Sequence, residues 1–445
     1  MKCISVTGRA GRQNRWYAPF SIFAGALLTL LVPVCAAAQT GWTSHNTPVL
    51  TTGPGWESSW VAFVSVIYEN SQYVMWYSGA NNTNGQNASS GRATSSDGQV
   101  WTKDTLNPVM QHGSSAWDSK AAWVPKVLKI GNSYTMWFTG SNSSDLWQIG
   151  RATSTDGRIW VRDSTNPVLR VGTAGQWDGA LVHTGSVLFD GSTYRMWYTG
   201  LSTWYQGGIA AIGLATSPDG IHWVKDTVDN PVLRAGSSSA WDKDGVGECS
   251  VVYDSVKHRY HMFYEGNELD YFTPQGTSGI GHATSSDGIH WIKDTLNNPV
   301  LRNSQAGTWT TIAQAPFVLL VNSTFHMWYS GDGSAASGMG YATSPLTGIA
   351  VQNDAPSPRN FQLLQNYPNP FNPTTTIRYA VPQRSFVTLT VFNVLGQQVA
   401  TLVNGEVEAG YHEMQFDASG LASGTFFYRL RAGSYVDTKS LLLIR

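Results

Sequence analysis

Ala93-Thr94-Ser95-Ser96-Asp97-Gly98-Gln99-Val100-Trp101 decides the reading of this chain, because it returns three times. Ala152–Trp160, Ala215–Trp223 and Ala283–Trp291 keep the pattern Ala-Thr-Ser-x-Asp-Gly-x-x-Trp, with its Asp at intervals of 59, 63 and 68 residues. A fifth copy begins at Ala342-Thr343-Ser344 and breaks off. A second string occurs five times, as Met75-Trp76-Tyr77, Met136-Trp137-Phe138, Met196-Trp197-Tyr198, Met262-Phe263-Tyr264 and Met327-Trp328-Tyr329. Asn-Pro-Val follows four of the turns, from Asn107, Asn166, Asn230 and Asn298. Strings that recur in one order mark a repeat architecture.

Each unit reads as four short strands. An apolar strand such as Val124–Ile130 turns at Gly131-Asn132 into the strand carrying Met-Trp-Tyr. A loop of variable length leads to a third strand ending in Ala-Thr-Ser. Asp-Gly supplies a tight turn, since Gly tolerates positive φ. The fourth strand runs from Trp to about Asn-Pro-Val-Leu. Five such units predict an all-β, five-bladed β-propeller over residues 39–350. The fifth unit lacks its fourth strand, and Trp42–Leu50 (Trp-Thr-Ser-His-Asn-Thr-Pro-Val-Leu) resembles Trp101–Val109. We therefore expect Trp42–Leu50 to close blade five and seal the edges of the ring.

Composition agrees. The 445 residues are 42% hydrophobic, 12% aromatic and only 13% charged, with 45 Gly and 19 Trp. A disordered chain would be charged and poor in aromatics. A coiled coil would be rich in Glu and Lys. No basic patch is visible, so nucleic acid is not an expected partner.

Residues 1–38 read as an export signal. Lys2, Arg9, Arg12 and Arg15 precede an apolar run from Phe20 to Val34, and Ala36-Ala37-Ala38 offers a cleavage site before Gln39. Cys35 raises a lipoprotein alternative, which Pro33-Val34 fits poorly. Removing the signal leaves a net charge of −5 and one cysteine, Cys249, which cannot form an intramolecular disulfide. No other stretch is a membrane-span candidate, and a monomer is expected.

Asp354-Ala355-Pro356-Ser357-Pro358 reads as a linker, placed at 351–360. Beyond it, Phe386–Phe392, Gln398–Leu402, His412–Phe416 and Thr425–Leu430 alternate like strands of a small Ig-like β-sandwich over 361–445. Tyr367-Pro368-Asn369-Pro370-Phe371-Asn372-Pro373, Phe392-Asn393-Val394-Leu395-Gly396 and Gly424-Thr425-Phe426-Phe427-Tyr428 resemble the type A carboxy-terminal sorting domain of the type IX secretion system. The resemblance implies two-step export in a Bacteroidota-like bacterium. It implies the type IX machinery as a partner of 361–445 and delivery outside the cell or to its surface.

Function should sit on the face with the long, divergent loops between strands two and three, since variable loops on a rigid scaffold carry function. These loops hold Trp147, Trp204, Tyr205 and Tyr271, whose rings suit the C–H faces of sugars, with loop packing as the alternative use. Glu57, Asp118, Asp178 and Asp242 each follow a Trp before strand one. Their recurrence suggests blade building.

Residues that break the repeat are better candidates. Strand one lines a propeller's channel, and one column of it holds Phe63, Val124, Thr184, Glu248 and Ala315. Glu248 is its one acid and a candidate general acid, because a walled channel raises a carboxyl pKa. Trp123 and His183 precede it in the neighbouring column as substrate-binding candidates, and Lys126 is expected to point into the channel toward a hydroxyl-rich or anionic ligand. Glu265 breaks a Ser78, Thr139, Thr199, Ser330 column at the end of strand two.

Five blades, the Met-Trp-Tyr strands and Glu248-Cys249 resemble the five-bladed glycosidases of families 32, 43, 62, 68 and 130. In the fructan-cleaving group a Glu-Cys pair carries the acid/base, which implies that role for Glu248. Those enzymes also place an acid on strand one of the first blade, where this chain has Phe63, and another on a later blade. Asp178, Asp242 and Glu265 are then candidates for the second carboxylate that glycoside hydrolysis uses. Family 43 suggests a central calcium, for which no oxygen-rich motif is present, and no other cofactor is implied. Two readings follow: a secreted hydrolase of glycosidic bonds, or a non-catalytic propeller that binds glycan or another surface ligand.

Overall fold

The computed structural model describes residues 41–83, 85, 87–114, 117–204, 208–267, 278–302, 309–332, 337–346, 360–366, 368–407 and 410–444. The expected export signal at 1–38, nearly all of the expected linker, Tyr205 and Tyr271 lie outside these residues.

Every described regular element of any length is a strand. Blade one uses Trp60–Glu69, Gln72–Ala80, Ser89–Ser95 and Thr102–Lys103, paired in chain order. Blades two and three repeat this from Ala121 and Leu181, and blade four from Gly245. Blade five has Gln314–Val321, Thr324–Asp332 and Ser337–Pro345. Its outer strand comes from the amino terminus: Thr43 pairs with Thr343, Ser44 with Ala342, Leu50 with Met339 and Thr51 with Gly338. The ring is closed as the sequence predicts.

The repeated string is a hydrogen-bonding device. Ser95 Oγ accepts the Gly98 N–H, and Asp97 Oδ1 accepts those of Gln99 and Val100. Gly98 stands at φ +76°, a region open to Gly at no steric cost. The amide of Asn107 binds both the N–H and the C=O of Arg92, so a side chain extends the ladder where the fourth strand leaves it. Asn166, Asn230 and Asn298 do the same.

The same turns also join neighbouring blades. Trp76 Nε1 donates to Gly157 O of the next turn, Trp137 to Gly220 O, Trp197 to Gly288 O, and Trp328 of blade five to Gly98 O of blade one, all at 2.8–2.9 Å. Blade four carries Phe263 instead, and the blade after it has no Asp-Gly turn to accept a bond. Trp42 packs edge-on against Phe263 with centroids 5.5 Å apart, as Trp160 packs on Trp76. Trp197→Phe keeps the ring and removes the donor. It is expected to cost about 1 kcal/mol, read as a lower urea midpoint with unchanged slope.

The acids before strand one are structural. Glu57, Asp118, Asp178 and Asp242 are buried and pair with Lys103, Arg162, Lys225 and Lys293 of the same blade at 2.6–2.9 Å. Each ties the blade's entrance to its outermost strand.

Carboxy-terminal to the ring, two sheets face each other as an Ig-like sandwich. One joins Gln362–Leu363, Thr374–Val381 and Gly410–Asp417. The other orders Gln398–Val407, Ser385–Asn393, Gly424–Ala432 and Tyr435–Leu443. Val387, Leu389, Val391, Tyr428 and Leu430 fill the core between them.

Candidate functional site

Strand one of every blade is bulged at the column that contains Glu248 or, in blade three, at Gly185 just after it. Phe63, Val124, Glu248 and Ala315 all take φ between 41° and 52° there, a left-handed conformation rare outside Gly. The bulge turns the backbone N–H away from its own sheet, and the preceding blade receives it. Val124 N–H donates to Ser78 Oγ, Thr184 N–H to Thr139 Oγ1, Glu248 N–H to Thr199 Oγ1 and Phe63 N–H to Ser330 Oγ, at 2.8–3.1 Å. In the fifth position Ala315 N–H donates to Glu265 Oε2 at 3.1 Å. The column that Glu265 interrupts is thus a ring of acceptors around the channel. A carboxyl group meets that requirement with one oxygen and has a second to spare.

The second oxygen, Oε1, accepts from Asn267 Nδ2 at 3.2 Å, and Glu265, Asn267 and Glu248 line one cavity of about 570 Å³. The cavity opens among the strand two-to-three loops, where Thr83, Gly85 and Asp145 also line it. Glu248 and Glu265 both belong to blade four. Glu265 pairs with Gly247, so the acids stand on adjacent strands. His183 comes from blade three, its Nδ1 2.7 Å from Glu248 Oε1 in a bent contact.

An aromatic wall completes the site. Trp123 meets Trp147 edge-on at 4.9 Å, Phe63 at 5.2 Å and His183 at 5.7 Å. Trp60 lies 6.0 Å from Trp123. The Trp123 indole N–H is buried without a hydrogen-bond partner. Lys120 and Asp145 pair at the cavity's side.

Burial first, and then the Glu248 charge, push the Glu265 carboxyl up to about 8, against the bonds from Asn267 and Ala315. The folded chain therefore keeps a proton that the unfolded chain releases near pH 4.5, and stability falls as pH rises from there to about 8. Melting temperature should drop across this window, and Glu265→Gln should flatten the drop. Equal slopes for both proteins would contradict the assignment.

Of the sequence candidates, Glu248, Glu265, His183, Trp123 and Trp147 meet in the cavity. Asp178 and Asp242 do not line it; their buried ion pairs hold them between strands of their own blades. Lys126 is buried and does not line the cavity. It lies past the bulge, deeper in the channel, where its amine donates to Val64 O at 3.2 Å and sits 5.5 Å from the Phe317 centroid. Burial lowers its pKa to about 8, against the pull of Glu248. Trp204 is 37% exposed and braces Trp147 at 5.0 Å without lining the cavity. Sequence reading missed Trp60, Asn267, Lys120 and Asp145. Asn267 was the most findable, two residues beyond the Glu265 anomaly. Among the described residues no three His, Cys, Asp or Glu side chains are grouped as a metal site requires.

Comparison with known proteins agrees with this architecture. Residues 365–444 match the family described as the secretion system C-terminal sorting domain. The chain therefore carries a type IX sorting domain, addressed to the extracellular space or the cell surface. Among the described residues no helix is long and apolar enough to cross a membrane. Uncharacterized proteins from two strains of Mycobacterium tuberculosis are each 27% identical over 245 residues, 53% of this chain and 75% of theirs. Among solved structures, one described as a glycoside hydrolase superposes with a TM-score of 0.54 at 16% identity, over 70% of this chain and 94% of its own. A glycosyl hydrolase from Bacteroides ovatus gives 0.52 at 17%, over 67% and 91%. At these identities the likeness is one of fold. The chain is a secreted protein with the propeller fold found among glycoside hydrolases.

Proposed function

We propose that the chain hydrolyses glycosidic bonds of an oligo- or polysaccharide outside the cell, with Glu265 as proton donor and Glu248 as its carboxylate partner. The observation that carries this reading is the pair of buried acids in one aromatic-walled cavity, one of them held protonated at neutral pH. Environments that separate two carboxyls in this way divide acid from base. The sugar ring stacks on the Trp123–Trp147 wall. Glu265 gives its proton to the leaving oxygen as the anomeric C–O bond breaks. Glu248, oriented by His183, serves the anomeric carbon as base for water or as nucleophile, the two uses known for such pairs. This shifts the acid role from Glu248, where the sequence reading put it, to its neighbour.

A glycan-binding propeller without catalysis is the second reading. Phe63 and Val124 favour it, because they stand where the resemblance demands acids. The test is reducing-sugar release by the purified exported chain across a polysaccharide panel, beside pull-down on insoluble glycans. Release that Glu248→Gln abolishes supports hydrolysis. Retention on one glycan with no release supports binding alone.

A further inference from the structure

The outer face of the larger sandwich sheet has a composition that a solvated sheet rarely shows. Strand alternation sends Val387, Leu389, Val391 and Leu430 into the core. It leaves Thr388, Thr390, Phe392, Arg429 and Arg431 on the other side. The register sets Thr388 opposite Arg431 and Asn404, and Thr390 opposite Arg429. Together these six residues line a shallow recess of about 430 Å³. No acid lines it. Arg429 is held in place, its guanidinium 5.3 Å from the Phe392 centroid and its Nε donating to Thr438 Oγ1 at 3.1 Å. Among the described residues neither Arg429 nor Arg431 has a carboxylate at ion-pair distance, whereas Arg378 and Arg384 pair with Glu413 and Glu406.

Large apolar side chains surround the recess on the same face. Phe386 is 54% exposed and Phe427 37%, and Val436 and Leu442 are exposed too. Exposed aromatics beside unpaired arginines are the composition of a protein interface and not of a solvated sheet. A guanidinium fork selects carboxylates by its paired N–H groups.

We propose that this face is the surface by which the sorting domain docks onto the export machinery, and that the partner protein presents carboxylates to Arg429 and Arg431. The partner's class follows from charge complementarity and from the export role of residues 365–444. The proposal does not depend on the propeller being an enzyme.

The test uses the full chain expressed in a bacterium that carries a type IX system, with the extracellular and periplasmic pools measured. Arg429→Glu with Arg431→Glu is expected to lower the extracellular fraction at least about tenfold and leave folded protein in the periplasm. Arg429→Lys with Arg431→Lys should export at a level between wild type and the charge-reversed pair, because the charge stays and the paired N–H fork is lost. Arg429→Gln with Arg431→Gln covers the case in which charge reversal prevents folding, and should also accumulate in the periplasm with an unchanged melting temperature. Wild-type export of a folded charge-reversed or Gln pair would overturn the proposal. Wild-type export together with lost retention on an anionic polysaccharide resin would assign the arginines to a glycan instead, and overturns it equally.

Discussion

Glu265→Gln is expected to lower the hydrolytic rate about 10²–10⁴-fold, the usual contribution of one general acid. Gln keeps an oxygen for the Ala315 N–H, so the acceptor ring around the channel survives and the fold should persist. Glu248→Gln should lower the rate by a similar factor, and it removes the charge that helps hold the proton on Glu265. Affinity for the glycan should change little in either variant, since the stacking wall is untouched. The pH profile separates this account from a structural one. A donor with its pKa raised to about 8 gives a rate that falls on the alkaline side of that value. Replacing it should remove that limb. A folded Glu265→Gln protein with full activity would make Glu265 a ring acceptor and nothing more.

The second large effect concerns closure. A chain that starts at Thr52 loses the strands at Thr43–Ser44 and Leu50–Thr51, and with them the bonds from His45 N–H to Tyr341 O and from Val49 N–H to Met339 O. It also uncovers Phe263 and Phe325, on which Trp42 packs at 5.5 and 6.3 Å. Trp42→Ala by itself should cost about 3–5 kcal/mol, the range for large aromatic truncations. The full deletion should lower the melting temperature by more, on the order of 10 °C, and promote aggregation through the bared edge of Ser337–Pro345. Trp101→Ala supplies the comparison. Trp101 occupies the equivalent place 6.2 Å from Trp328, but it is only partly buried, so its loss should be the smaller of the two. A truncated chain that melts with the full-length protein would show that the ring does not need its amino-terminal strand.

The amino-acid sequence by itself determined the repeat, the number of blades, the closing strand and the sorting domain. The reason is that each of these is a local pattern. Ser95, Asp97 and Gly98 satisfy one another within four residues, and every copy of the string repeats the arrangement. Even the defects were readable, because the string missing after Ala342 reappears at Trp42. Glu265 was visible as an irregularity, and its meaning was not. Only the tertiary structure shows that its column is a ring of acceptors, since each bond crosses from one blade to the next over 45 to 267 residues. The same long range hid which acids meet. Asp178 and Asp242 resemble Glu248 in charge, yet cations about 50 residues further on hold them inside their blades. Glu248 and Glu265 lie 17 residues apart and reach one cavity because a bulge twists the first strand toward the channel and an antiparallel neighbour brings the second beside it.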